Sequence, residues 1–342
     1  MYLPLHLGMS GAKAAMGRFS GGLARLPPCA RLLGVRTSTV VAARAPPPPP
    51  SPSAQPLPRV DASAVLTADD VARFAAEGAI VVRNVFSPEW VETMRVAVED
   101  NMASPGPLCD EHAAAAQSGG RFHDDQFLWT RHEAFRRFVT ESGAGAIAAR
   151  ALGSSSAHIF YDQLLVKEPG TSTPTPWHND TSYWQLTGSQ ICSIWVALDT
   201  VPGATGVGYV KGSHLWNLKH RVTNFSGDAH SAKNTYEGVA AENFDELPDV
   251  SAKEAAGEFE VLRWDMEPGD IILFYSSAIH GAPGLAKNST RRRRGYATRW
   301  CGDDVRYDAR PGTMDKGWRA AGYDCGLSQG DPIACALHPN LA

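Results

Sequence analysis

No aspartate or glutamate occurs in the first 60 residues, which carry seven basic side chains (Lys13, Arg18, Arg25, Arg31, Arg36, Arg44 and Arg59). The 342-residue chain has a formal net charge of −4, so without those seven positive charges it stands at −11. A basic, Ser/Ala-rich, acid-free leader has the composition of an organelle transit peptide, for mitochondrion or plastid alike. A disordered tail, or a start codon placed too early in a GC-rich gene, would look the same, with the cytoplasm as the alternative location. The acidic remainder argues against a nucleic-acid partner, because a phosphate backbone would be repelled.

Long apolar runs are also missing. The longest, such as Ile271–Tyr275, are strand-sized, far below the ~20 residues of a membrane helix, so no membrane span is expected. The six cysteines form no CxxC pair and no regular spacing, which implies neither a zinc knuckle nor a disulfide framework and favours a reduced, intracellular compartment. There is no internal repeat. Oligomeric state leaves no trace in the sequence.

What is present suits one large globular domain, with 43% hydrophobic and 20% charged residues. Pro46–Pro50 and the Ser/Pro/Ala stretch to Pro58 read as an extended linker, so the expected division is 1–59 targeting segment and linker, 60–342 folded domain. Thr67-Ala-Asp-Asp before Val71 and Phe74 predicts a capped amphipathic helix, followed by a strand at Ala79–Val82. Ser87-Pro88-Glu89 opens a second helix to about Met102, and a further helix covers Glu133–Ala151. The character then turns to β, with short strands expected at Ile159–Val166, Gln190–Ala197, Gly206–Val210, Glu258–Leu262, Ile271–Tyr275 and Gly295–Trp300. Helices followed by many short strands predict an α+β domain built on a double-stranded β-helix, a jelly-roll or cupin-like barrel with flanking N-terminal helices. Residues 215–257 read as a partly helical excursion and 303–342 as a covering tail.

The sharpest chemical signal is Trp177-His178-Asn179-Asp180 after the Pro/Thr loop Gly170–Pro176. In an extended segment residues i and i+2 share a face, so His178 and Asp180 can reach one metal. Alone, an HxD is more often a surface pair. A hundred residues on, Asp270-Ile-Ile-Leu-Phe-Tyr-Ser-Ser-Ala-Ile-His280 delivers a histidine after an apolar strand, expected from the opposite sheet. Two imidazoles and one carboxylate make the facial triad that leaves iron positions open. Downstream, Arg291-Arg-Arg-Arg294 begins a strand, and one guanidinium directed inward would suit a buried dicarboxylate.

These residues resemble the phytanoyl-CoA dioxygenase family of Fe(II)- and 2-oxoglutarate-dependent oxygenases over roughly residues 65–335. The matching pieces are Asp162-Gln-Leu-Leu-Val-Lys-Glu-Pro-Gly170, Trp177-His-Asn-Asp180 with Tyr183-Trp184, Ser193-Ile-Trp-Val-Ala-Leu-Asp199, Gly206-Val-Gly-Tyr-Val-Lys-Gly-Ser-His214, Ile279-His-Gly-Ala282 and Arg293-Arg-Gly-Tyr-Ala-Thr-Arg-Trp300. The resemblance implies iron on His178, Asp180 and His280, and 2-oxoglutarate held by Arg293; a fixed distance from His280 would select Arg291. It also implies Gln163 as a 2-oxoglutarate contact and Trp195 as a wall of the pocket, against plain readings as a strand-edge glutamine and a core tryptophan. His214 fits a turn rather than a ligand. With O2 as co-substrate, the expected reaction hydroxylates an unactivated C–H of a small organic or lipid-like substrate and releases succinate and CO2. Asp180 stands where halogenating relatives carry a small residue, which favours hydroxylation. Pro339-Asn-Leu-Ala342 and the leader show no peroxisomal signal, which counts against a literal fatty acyl-CoA substrate. Desaturation or ring formation on the same fold, a catalytically silent jelly-roll binding protein, and a zinc or manganese cupin are the competing readings. Asn179, Tyr183, Trp184 and the 215–257 excursion are the expected substrate wall.

Overall fold

The computed structural model describes residues 56–112, 119–216, 218, 220, 245–286 and 288–342. Most of the expected targeting segment and linker, and residues 221–244 of the expected excursion, lie outside the described residues.

Strands β1 (Ala79–Val82), β2 (Asp110–Glu111), β3 (Phe122–Gln126), β4 (His158–Lys167), β7 (Ile191–Ala197), β10 (Ile271–Tyr275) and β12 (Arg293–Cys301) form a seven-stranded antiparallel sheet in the order β1-β10-β7-β12-β4-β3-β2. A four-stranded antiparallel sheet runs β5-β11-β8-β9, from β5 (Thr175–His178), β11 (His280–Ala282), β8 (Gly208–Val210) and β9 (Val261–Leu262). A ribbon of β6 (Leu186–Thr187) and β13 (Arg306–Tyr307) adds to these. The two main sheets face each other in a jelly-roll-like core without closing into one barrel, with Tyr209 of β8 against Phe274 of β10 at 4.9 Å between ring centroids.

Period-two alternation sorts the large sheet's side chains between its faces. Ile271 and Leu273, Ile194 and Val196, Leu164 and Val166, and Tyr296 and Trp300 join one apolar cluster with helices α1 (Ala68–Glu77), α2 (Pro88–Ala103), α3 (Glu133–Glu141) and α4 (Ala144–Leu152). Ile272, Phe274, Trp195 and Ala297 lie on the opposite face, towards the small sheet. Gln163, Arg293 and Arg299 share that inner face and line the cavity between the sheets, so burying the helices fixes which side chains the site receives.

The helix expected over Glu133–Ala151 is two. Gly143 adopts a left-handed backbone, φ 93°, where a β-carbon would also strike the Val60 carbonyl, and the chain turns there. Phe-His-Asp-Asp-Gln of β3 has no apolar alternation to mark it as a strand, yet all five residues are buried. Among the described residues no helix is long and apolar enough to cross a membrane, and Cys109, Cys192, Cys301, Cys325 and Cys335 are free thiols.

Candidate metal and co-substrate site

β5 is an edge strand of the small sheet, which is why Pro176 is tolerated inside it. Its last residue, His178, lies directly across from His280 at the start of β11. The two histidines therefore share one sheet, which corrects the expectation that His280 comes from the opposite one. The apolar strand β10 ends at Tyr275, and the turn through Ser276–Ile279 carries the chain across to β11. The imidazole centroids are 4.3 Å apart.

Asp180 is not on the strand with His178. It opens a single 3-10 turn, Asp180–Tyr183, capped by the Asn179 side chain accepting from Ser182 N at 3.1 Å. Its backbone N–H donates to Ser276 O at 2.8 Å, which ties the turn to the crossing between β10 and β11. Its Oδ1 lies 3.5 Å from His178 Nε2 and 3.7 Å from His280 Nε2, and the three buried ligand atoms fall within 4.8 Å of one another. Each imidazole is aimed from behind: His178 Nδ1 donates to Pro176 O at 2.7 Å and His280 Nδ1 to Ala278 O at 3.0 Å. A carbonyl accepts only, so in the neutral rings the Nε2 lone pairs point at the shared space, as metal-ligating histidines require.

The electrostatics agree with that donor set. Burial lowers His280 to about 4, helped by the neighbouring His178, so it is neutral near pH 7. Burial pushes Asp180 up, but at the acid pH where its carboxyl titrates the charge of the then protonated His280, with that of Arg299, prevails and holds it below the usual carboxylate range.

The sites of the other expected residues differ in kind. Arg293, at the start of β12, is buried and lines the cavity, with Nη1 donating to Thr205 O at 2.5 Å; burial lowers it to about 10, still charged at neutral pH. Arg291 is exposed. Arg292 and Arg294 are neither free nor fully wet, since Arg292 pairs with Glu99 and Glu168 and Arg294 with Asp199. Trp195 lines the cavity opposite Gly295, whose missing β-carbon makes room for the indole. Gln163 lines it too, but its amide is engaged: Nε2 donates to both oxygens of Asp124 at 2.8 and 2.9 Å, and Oε1 accepts from Arg299 Nη2 at 2.7 Å. His214 bonds to Ala75 O, away from the triad.

The cavity measures about 1000 Å³. Aromatic and aliphatic side chains form much of it, among them Phe122, Tyr161, Tyr183, Trp184 and Trp318. Asn179 does not line it, and residues 310–318 of the C-terminal tail do. Arg299, which also lines it, was missed in the sequence; its even separation from Arg293 on one strand was the available signal.

A second group, Cys109, His123 and Asp125, also draws together. Asp125 Oδ2 already accepts from Asn101 Nδ2 and Gly106 N and pairs with Arg131, and both His123 nitrogens face acceptors, Glu111 Oε1 and Asn101 Oδ1. Burial pushes the Cys109 thiol up to about 12, so near neutral pH it is a protonated thiol and the group is not a ready metal site.

Two imidazoles, one carboxylate and a buried arginine in one jelly-roll cavity have the build of a metal-dependent 2-oxoglutarate oxygenase, and the donor set fits Fe(II). Residues 74–295 match the family described as Phytanoyl-CoA dioxygenase (PhyH), and the chain belongs to that family. It is accordingly a 2-oxoglutarate-dependent dioxygenase. The ectoine dioxygenase of Stutzerimonas stutzeri (strain A1501) is 23% identical over 241 residues, 68% of this chain and 77% of that protein. In fold it is similar to the non-haem α-ketoglutarate-dependent carbocyclase SnoK from nogalamycin biosynthesis (TM-score 0.62, 22% identity, 83% of this chain and 100% of that one). It is also similar to EctD from S. alaskensis with 2-oxoglutarate and 5-hydroxyectoine (TM-score 0.59, 18% identity, 85% and 96%).

Proposed function

We propose that His178, Asp180 and His280 hold Fe(II), that Arg293 takes the distal carboxylate of 2-oxoglutarate beside the Trp195 wall, and that the enzyme hydroxylates an unactivated C–H of a bulky, mainly apolar substrate. The observation that carries this is the sharing of one cavity by the three ligand side chains and Arg293.

Bound iron, 2-oxoglutarate and O2 supply the oxidation, giving succinate and CO2 with one oxygen atom passing to the substrate. The protein's own work is placement. Pro176 and Ala278 carbonyls fix the two imidazoles. The Arg293 fork fixes one end of the co-substrate by paired, charge-assisted hydrogen bonds. Tyr161, Tyr183, Trp184 and Trp318 exclude water and grip the substrate body. The cavity is at the upper end of small-molecule pockets, ~300–1,000 Å³, leaving ample space beyond a five-carbon keto acid. The intact donor set disfavours a silent binding protein, and a buried inward arginine has no purpose in a zinc or manganese cupin. Ring formation remains a second outcome for the same chemistry, favoured by the fold it shares with a carbocyclase.

Succinate release by the Fe(II)-loaded protein, screened across apolar polycyclic, lipid-like and small zwitterionic candidates under 18O2, tests this reading. Release stimulated by the bulky apolar compounds, with one labelled oxygen in the product, is expected. Stimulation confined to small zwitterions would contradict the substrate class, and product without label would favour ring formation or desaturation.

A further inference from the structure

Arg299 is only 4% exposed, and burying a guanidinium is costly unless its surroundings use the charge. It lies six residues beyond Arg293 on β12, above the Tyr161 ring at 5.1 Å to the centroid. Its Nη2 donates to Gln163 Oε1 at 2.7 Å and stands 3.8 Å from Asp180 Oδ2. Gln163 cannot turn over, because its Nε2 must face Asp124, whose oxygens only accept. A buried polar chain therefore runs from Asp124 through Gln163 and Arg299 to Asp180.

That chain makes the two oxygens of Asp180 unequal. Oδ1 faces both histidine Nε2 atoms. Oδ2 faces Arg299 Nη2 and, at 3.5 Å, Ser193 Oγ, which is itself 3.2 Å from Ser276 Oγ. A carboxylate with both oxygens free can chelate a metal through two positions, and here the second would be one that the co-substrate or O2 needs.

We propose that Arg299, steered by Gln163 and Asp124 and assisted by Ser193, is a positioning residue that occupies Oδ2 and holds Asp180 to one-oxygen ligation of the metal. This rests on the triad being the metal site. Gln163 then acts through Arg299 rather than by touching 2-oxoglutarate.

Two substitutions separate position from charge. Arg299→Met removes both, whereas Arg299→Lys keeps the charge but on a shorter side chain, which moves it from the place where Nη2 reaches both Gln163 and Asp180. The probes are Co(II) absorption of the full-length apo-protein without co-substrate, and anaerobic 2-oxoglutarate titration of the Fe(II)-saturated protein. In both variants the Co(II) spectrum should change and 2-oxoglutarate affinity should fall by about 10-fold or more, the scale of lost outer-shell partners. Ser193→Ala, a change of one hydroxyl, should move both readouts the same way by less, and it carries the test if Arg299→Met does not fold. Wild-type 2-oxoglutarate affinity and an unchanged Co(II) spectrum in Arg299→Lys and Ser193→Ala would overturn the proposal. Co(II) binding that survives His178→Ala would instead overturn the triad reading beneath it.

Discussion

A β-carbon on Gly295 would fall on the Trp195 indole, so Gly295→Ala forces the ring off the cavity wall. Overpacking of this kind costs about 1–3 kcal/mol, and we expect a lower melting temperature together with weaker 2-oxoglutarate binding. Lys167, cross-strand from Arg293, is lowered to about 6 by burial and then by that guanidinium. Above pH 6 the folded lysine is neutral while the unfolded one stays protonated towards its ordinary value of 10.5. The unfolded chain thus binds the extra proton, and this group's contribution to stability rises with pH across that window. Lys167→Met should remove a slope of about 1.4 kcal/mol per pH unit between pH 7 and 8.5, measured by denaturant unfolding of both proteins. An unchanged slope would show that Lys167 stays charged. At this scale the gathering of His178, Asp180 and His280 was legible from their donor types and spacing. The bonding of Gln163 was not, since its partner Asp124 sits on a strand without apolar alternation.

Elements were legible where local chemistry and pattern coincide. Thr67 and Asp70 form the reciprocal capping box that their spacing implies, and Thr67→Ala should cost about 1 kcal/mol in thermal unfolding without altering metal binding. β1 and β10 appeared at their expected limits because β-branched and aromatic runs between turn residues say little else. β3 failed for the opposite reason: its polar side chains are buried in bonds that only the tertiary fold supplies, such as Asp125 with Asn101 and Gly106. The place of His280 was misjudged for a similar reason. Sequence gives the apolar strand β10 but not the four-residue turn that transfers the chain to the other sheet, and that transfer makes His178 and His280 cross-strand neighbours.

For the whole molecule, the separation of roles follows from two faces of one sheet. Apolar residues turned towards the helices build the largest cluster, while Trp195, Arg293 and Arg299 are turned into the cavity. The jelly-roll class was readable from the order of elements, and a covering tail was expected over 303–342, but which of its residues reach the cavity was not legible. Residues 310–318 line it although they carry little periodicity, because packing of Trp318 against Phe127, Phe160 and Tyr161 rather than local pattern sets their course. The central claim is that the triad and Arg293 form one iron and 2-oxoglutarate site. Anaerobic titration of the full-length apo-protein with Fe(II) and then 2-oxoglutarate tests it most directly, following the weak visible charge-transfer band of the iron-bound keto acid in wild type, His178→Ala and Arg293→Met. The account predicts a band in wild type, none in His178→Ala, and in Arg293→Met a band that needs about 10–100 times more 2-oxoglutarate, the equivalent of a lost charge-assisted hydrogen bond. Wild type that binds Fe(II) without developing the band, or His178→Ala that retains it, would contradict the account.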